Sequence, residues 1–430
     1  MRSLNRFIFF LSTLSVGHTL QTQSQLGFCA WNPRSSLLGH HACSITDETH
    51  LSSGEGLEGN ASQGYPPNEV NEAVWSRRDD CIDKYCIWVN QGFFERGIAV
   101  VTTAQNYQQI KHLPSSATDT KDNNDRFSFV DVPGRGKGLV ANKAIRRGEP
   151  IVAAKPALLV HRGLFEDLSP EDLYELLDMA VDSLPKTGRE SYMAQAGEMG
   201  GHLATNILFT NSYQINLGEP DGFHYGTYPD VSRLNHDCRP NLAFYIDQNL
   251  THHTRAVRDI KPGEELTVSY IDPLQVRIAR QERLRNTLGF SCGCSQCSLP
   301  KSEADASDAR LLSIQEIESE LSDFNSQAAS PAMIERLMTL YEEERLVFNM
   351  AGAYTFAALN HNLSGRAEMA QKYARMAVEA DILEEGPHSS DVQSMQILAS
   401  NPKGHWSFNL KPGRCTLSSL LSSFQLALTH

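Results

Sequence analysis

Asn235-His236-Asp237-Cys238-Arg239-Pro240-Asn241 is followed by Gly263-Glu264-Glu265-Leu266-Thr267-Val268-Ser269-Tyr270 and then by Cys292-Gly293-Cys294-Ser295-Gln296-Cys297. The last of these packs three thiols into six residues, a spacing that suits a metal site better than a disulfide framework. Upstream, Pro133-Gly134-Arg135-Gly136-Lys137-Gly138-Leu139 alternates glycine with other residues. That loop lacks the Gly-Lys-Ser/Thr ending of a phosphate-cradling loop and leads into a strand-like run, so it reads as a glycine-rich β-turn. Each motif alone is weak. Four of them in this order across residues 133–297 are far more specific.

In that order the motifs resemble those of the SET-domain protein lysine methyltransferases. Tyr270-Ile271-Asp272-Pro273, Arg280-Gln281-Glu282-Arg283-Leu284 and Gly289-Phe290-Ser291-Cys292 most resemble the SET-and-MYND subgroup and its fungal Set5-like relatives. Residues 161–200 contain no cysteine, so the zinc-rich MYND finger is not expected there. The resemblance implies an α+β protein. Its parts would be a mainly β SET core with a knot-like crossing, a post-SET zinc segment and an α-helical C-terminal domain. It also implies S-adenosylmethionine as cofactor and a protein or peptide lysine as substrate, with a histone as the family default.

By that resemblance, Arg135, Gly136, Lys137 and Gly138 approach the methionine part of the cofactor, Asn235 and His236 hold its adenine and amino ends, and Phe290 packs on the adenine. Asp237 stands where many members carry Ser, at a position not expected to bear chemistry. Tyr270 matches the catalytic tyrosine, and Tyr213 in Asn211-Ser212-Tyr213 matches an aromatic wall of the lysine channel. Cys238 with Cys292, Cys294 and Cys297 supplies four thiolates for a structural zinc, with no open coordination position. Methyl transfer to an amine needs orientation and preorganised dipoles and no nucleophilic side chain. Two other readings stay open: a non-catalytic SET module that binds peptides or partners, and a secreted SET-fold protein with disulfides in place of zinc.

The 430 residues, 40% hydrophobic and 21% charged, allow two domains with proper cores. A formal net charge of −13 argues against direct nucleic-acid binding, which needs clustered Lys and Arg. An acidic surface suits a basic protein substrate, and an acidic soluble protein reads the same way. Arg2 and Arg6, the apolar run from Phe7 to Val16 and the small residues at Ser15-Val16-Gly17 read as a signal peptide over residues 1–17. That run is too short to span a bilayer, and no other segment approaches a transmembrane helix. Secretion would allow disulfides among Cys29, Cys43, Cys81 and Cys86, and glycans at Asn60 and Asn249. SET chemistry points instead to nucleus or cytoplasm.

Residues 18–126 read as an N-terminal cysteine-containing region, with a small hairpin over Tyr85–Thr103 and a polar linker from Ser115 to Arg126. Residues 127–270 are the expected SET domain. Its anticipated elements are a strand from Pro150 to Val160, a helix from Ser169 to about Leu184, a helix from Glu190 to Phe209, a strand from Leu242 to Asp247 and a return from Ala256 to Ile260. Residues 271–300 form the post-SET segment. Residues 301–405 are helical, expected over Ala309–Phe324, Pro331–Asn349, Ala351–Leu363 and Ala367–Ile382. The pair around Gly365 resembles a tetratricopeptide hairpin, and reads equally as part of a helical bundle packing on the catalytic domain. Residues 406–430 read as an irregular tail.

Overall fold

A computed structural model of the protein describes residues 75–410 apart from 114–124, 198–199, 218–220, 325 and 327. The signal-like segment, Cys29, Cys43, Asn60, most of the polar linker and Cys415 lie outside the described residues. The chain opens with β1 (Ser76–Ile82), β2 (Tyr85–Asn90), β3 (Ile98–Thr103) and helix α1 (Ala104–Ile110). Then come β4 (Phe127–Val132), β5 (Gly136–Ala141), β6 (Pro150–Ala154) and β7 (Leu158–His161). Helices α2 (Leu164–Asp167), α3 (Pro170–Asp182), α4 (Lys186–Met193) and α5 (Leu203–Asn211) precede β8 (Ser212–Asn216) and β9 (Phe223–Thr227). The strands β10 (Asn235–His236), β11 (Leu242–Ile246), β12 (His252–Ala256) and β13 (Glu265–Val268) complete the β part. Helices α6 (Arg277–Leu288), α7 (Lys301–Ser322), α8 (Pro331–Glu343), α9 (Met350–Leu363), α10 (Ala367–Glu384) and α11 (Ser390–Ser400) follow. No described helix is long and apolar enough to cross a membrane.

The strands form three sheets, ordered β1-β2-β3-β7-β9-β8, β10-β13-β5-β4 and β11-β12-β6. The middle of the largest sheet is buried on both faces, which is why β2, β3 and β7 read as nearly continuous apolar runs. Alternation then divides the residues: Ile98, Val100 and Leu159 enter a core shared with Leu139, Leu266 and Val268. Ala99, Val101, Leu158 and Val160 face Leu176, Leu177 and Ala180 of α3. A separate core joins α7 to α11 and receives Leu274 from the segment after β13.

Local rules place several elements where expected. Ser169 caps α3, its hydroxyl accepting from the Asp172 amide at 3.1 Å, with Pro170 at the first helical position. Asp247 Oδ1 accepts from the amides of Asn249 and Thr251, making the exposed turn between β11 and β12. Gly365 (φ +70) ends α9, and the buried Ala370, Ala374 and Ala377 let α10 pack closely on it.

Other expectations are corrected. The strand from Pro150 to Val160 is two strands in different sheets, broken at Lys155-Pro156, where proline has no amide to continue a ladder. The helix from Glu190 to Phe209 is two helices, α4 and α5, separated by a segment in which Gly200 and Gly201 adopt φ of +82 and +91. The return strand ends at Ala256 instead of beginning there. Its inward residues are His252, Thr254 and Ala256, two of them polar, so hydrophobic alternation did not mark it. Helices α6 and α11 were not anticipated, and α7 starts at Lys301, eight residues before the expected Ala309.

Strand β13 pairs with β5 through Glu265↔Val140 and Leu266↔Leu139, and in parallel with β10 through Asn235↔Thr267 and His236↔Val268. Beside this two-residue β10, the buried Asn241 side chain takes over the role of a strand. Its Nδ2 donates to the Glu265 carbonyl (2.8 Å) and its Oδ1 accepts from the Thr267 amide (2.9 Å). Asn241→Asp removes the donor and leaves a buried carbonyl unpaired, so stability should fall by about 1–3 kcal/mol. A urea titration checks this; an unshifted midpoint would remove Asn241 from the account of the sheet.

Candidate functional site

The glycine hairpin, the Asn-His pair and the strand leading to Tyr270 meet because β5, β13 and β10 are consecutive in one sheet. The turn between β4 and β5 is closed by the Arg135 amide donating to Val132 O (3.0 Å), with Gly134 and Gly136 at φ of +72 and +71. A Cβ at either glycine would meet nothing within 4 Å, so the turn is open on that face. Gly138 serves a different purpose. A Cβ there would lie 2.8 Å from Asn235 Nδ2, 2.8 Å from Val132 Cγ2 and 2.9 Å from Glu265 Oε1.

Glu265 organises this corner. Its Oε2 pairs with Arg135 Nη1 at 2.8 Å and its Oε1 accepts from Asn235 Nδ2 at 2.9 Å. Asn235 Nδ2 also reaches the Lys137 carbonyl at 3.2 Å, while the Lys137 ammonium turns outward to Asp131. Lys137 therefore meets Asn235 through its backbone. Arg135 donates a further hydrogen bond to the His236 carbonyl, so one guanidinium ties the hairpin to the motif strand.

His236 is buried, and burial pushes its pKa down to about 3, so the ring is neutral. Its Nδ1 accepts from the Tyr270 amide at 3.0 Å, which leaves the proton on Nε2, facing Cys238 Sγ at 3.3 Å. The ring centroids of Tyr270 and Phe290 lie 5.4 and 6.3 Å from that of His236. The Tyr270 hydroxyl donates to the Leu234 carbonyl at 2.5 Å, and burial holds the phenol well above its ordinary pKa. Tyr213 sits in a second aromatic group with Tyr228, Phe244 and His252, at centroid distances of 5.7, 5.1 and 4.7 Å. Tyr213 and Tyr270 rest on the same apolar core.

Cys238, Cys292, Cys294 and Cys297 are free thiols whose sulfurs all lie within 4.8 Å of one another, an arrangement that can hold a metal ion. Disulfides at these four positions, one of the alternatives left open by the sequence, are not what the structure has. Cys81 and Cys86 are instead joined across the β1–β2 pair. Arg280 from α6 is fully buried beside the cluster; burial would lower its pKa, but Cys238 and Cys297 hold it above the ordinary arginine value. Gln281 pins the loop by accepting from the Cys292 amide (3.0 Å) and donating to its carbonyl (2.7 Å).

Sequence reasoning brought Arg135, Asn235, His236, Tyr270, Phe290 and the four cysteines to one place. It gave no role to Glu265, Asn241 or Arg280. Glu265 and Asn241 lay inside quoted motifs, but what each holds is apparent only once β5, β10 and β13 are neighbours. Gly138→Ala should lower stability by about 1–3 kcal/mol through overpacking against Asn235 and Glu265. The same change at Gly293, where a Cβ would meet nothing within 4 Å, is the control. Equal denaturation midpoints for the two variants would contradict the close approach.

Comparison with known proteins bears on the domain that holds these strands. The SET domain family matches residues 136–271. Set5 of Schizosaccharomyces pombe, named a histone-lysine N-methyltransferase, is 26% identical over 288 residues, 65% of this chain and 85% of that protein. Human SMYD3, also named a histone-lysine N-methyltransferase, is 41% identical over 99 residues, 23% of each chain. Human SMYD2, named an N-lysine methyltransferase, is 39% identical over 111 residues, 25% of each chain. The alignments with the two human proteins thus span a quarter of their length or less. The chain carries a SET domain at residues 136–271.

Proposed function

We propose that this protein transfers a methyl group from S-adenosylmethionine to a lysine amine of a protein substrate. The observation that carries the reading is the convergence, inside a matched SET domain, of the open glycine hairpin, Asn235-His236 and Tyr270 on adjacent strands. The names of the relatives add protein lysine as the acceptor class and make histone tails the first substrates to try. In this reading residues 127–270 are the SET domain, with a knot-like crossing at β10, and residues 271–300 are the post-SET segment. Residues 301–405 are a helical domain of tetratricopeptide-like pairing.

The residues present fit the cofactor. The hairpin turn is open beside Gly136, the Asn235 amide oxygen is not used by the bonds to Lys137 and Glu265, and the half-buried Phe290 offers a ring face. Arg135, Gly136, Lys137, Gly138, Asn235, His236 and Phe290 would hold it. When bound, S-adenosylmethionine supplies an electrophilic methyl group on a cationic sulfonium. Tyr270 is suited to orient the acceptor: its proton is committed to Leu234 O, which leaves oxygen lone pairs to accept from the lysine amine. The raised pKa keeps the phenol neutral. Tyr213 would wall the channel, and the aromatic lining would desolvate the lysine, favouring its neutral, nucleophilic form.

The thiol cluster fits zinc. A tetrahedral site with Zn–S of about 2.3 Å has sulfur–sulfur edges of about 3.8 Å. Cys238 and Cys297 lie 3.6 Å apart, and the guanidinium of Arg280 offsets excess thiolate charge. Four protein ligands make the role structural. Elemental analysis should find one zinc per chain, lost with activity in Cys294→Ser; full activity in metal-free protein would defeat the assignment.

Tyr270→Phe should lower radiolabelled methyl transfer to histones and peptide arrays by about 100-fold or more, with little change in cofactor affinity by calorimetry. Asn235→Ala and His236→Ala should weaken that affinity. Equal turnover by Tyr270→Phe and wild type would remove the hydroxyl from the mechanism. No heat of cofactor binding to the wild type would favour a non-catalytic peptide-binding module.

A further inference from the structure

Glu344 stands at the C-terminal end of α8 and is 1% exposed, yet it carries a carboxylate. Its Oε2 accepts from Arg239 Nη2 (2.6 Å), Ser307 Oγ (2.8 Å) and Gln296 Nε2 (3.2 Å), and its Oε1 from Arg310 Nε (2.7 Å). Its backbone carbonyl accepts from Arg239 Nε. Two of these partners belong to the thiol cluster's own segments. Arg239 follows Cys238 directly and donates from Nη1 to the Cys238 carbonyl at 2.7 Å. Gln296 lies between Cys294 and Cys297, and its Oε1 accepts from Arg345 Nη2 at 2.9 Å.

One carboxylate from the helical region therefore grips both halves of a cluster whose halves are more than fifty residues apart in the chain. We propose that Glu344 is a positioning residue for the SET site, holding Cys238 in register with the Cys292–Cys297 loop from the helical side. The consequence for His236 and Phe290 rests on the methyl-transfer reading; the thiol geometry does not. A buried carboxylate satisfied by two guanidiniums and two neutral donors has a single arrangement. Neutralising it leaves Arg239 buried and uncompensated against the Cys238 backbone, so the strain falls on the ligand segment and not on a distant part of the bundle.

The test is the rate at which N-ethylmaleimide labels each of Cys238, Cys292, Cys294 and Cys297, read by peptide mass spectrometry on the full chain, with and without added zinc. All variants are compared at a temperature where each is folded by circular dichroism. Glu344→Gln should speed labelling of all four thiols about tenfold or more by local opening, and Glu344→Asp should fall between it and wild type. The control is Asn360→Ala, which breaks buried bonds to Leu321 and Phe356 elsewhere in the helical region without touching the loop. Comparable acceleration by that control at a similar loss of melting temperature would reduce Glu344 to a general stabiliser and overturn the proposal. If Glu344→Gln does not fold, Gln296→Ala cuts the loop's bonds to Glu344, Ser307 and Arg345 while leaving Arg239 paired, and should expose Cys294 and Cys297 more than Cys238. Uniform labelling would overturn it too. Cofactor affinity, measured in parallel, separates the two ideas: thiol acceleration in a protein that binds no S-adenosylmethionine would sustain the positioning role and sink the methyl-transfer reading.

Discussion

Four residues of β13 carry more of this molecule than their number suggests, because their backbone groups must be satisfied on both sides in a buried sheet. On one side β5 supplies two antiparallel pairs. On the other, β10 is only two residues long, and the Asn241 amide completes the pairing. The arrangement brings three loops to the same end of one sheet. The open glycine hairpin, the Asn-His motif and the residue following the strand, Tyr270, become neighbours through backbone geometry before any side chain contributes specificity.

Charge does the second part of the assembly, and it works by pairing. Glu265 faces Arg135 and the Asn235 amide; Glu344 faces Arg239 and Arg310. In both places a carboxylate receives several donors from segments remote in sequence, which is how a buried or half-buried charge is tolerated. Such pairs add little net stability compared with apolar packing, but they admit few alternatives, so they fix which segments meet. The neutral, buried His236 joins the two groups: one ring nitrogen accepts from the Tyr270 backbone and the other faces Cys238. The Tyr270 side and the thiol side of the site are thus one hydrogen-bonded unit.

The SET fold by itself does not establish a reaction, since folds host more than one function. What narrows the reading is the chemistry available at the site. A phenol whose proton is already committed, a neutral imidazole and an aromatic rim suit the orientation of an amine better than acid–base or nucleophilic attack. The acidic balance of the whole chain is compatible with a lysine-bearing partner.

Local rules were legible in the sequence. Ser169 and Pro170 started a helix, Asp247 closed a turn, Gly365 ended a helix, and the spacing of Cys292, Cys294 and Cys297 announced a cluster, because each depends on residues within a few positions of one another. The resemblance of their motifs to those of a known family brought Cys238, Asn235, His236 and Tyr270 into one expected site. The sequence alone did not mark β12, whose inward residues are His252 and Thr254, nor the break between α4 and α5, where helix-compatible side chains lie on either side of a glycine pair. It could not assign Glu344 to Arg239, which lies 105 residues away, or Asn241 to the backbone of β13. Side-chain identity states what a residue can donate or accept; which distant partner receives it is decided by the tertiary packing that brings the two together and removes the competing water.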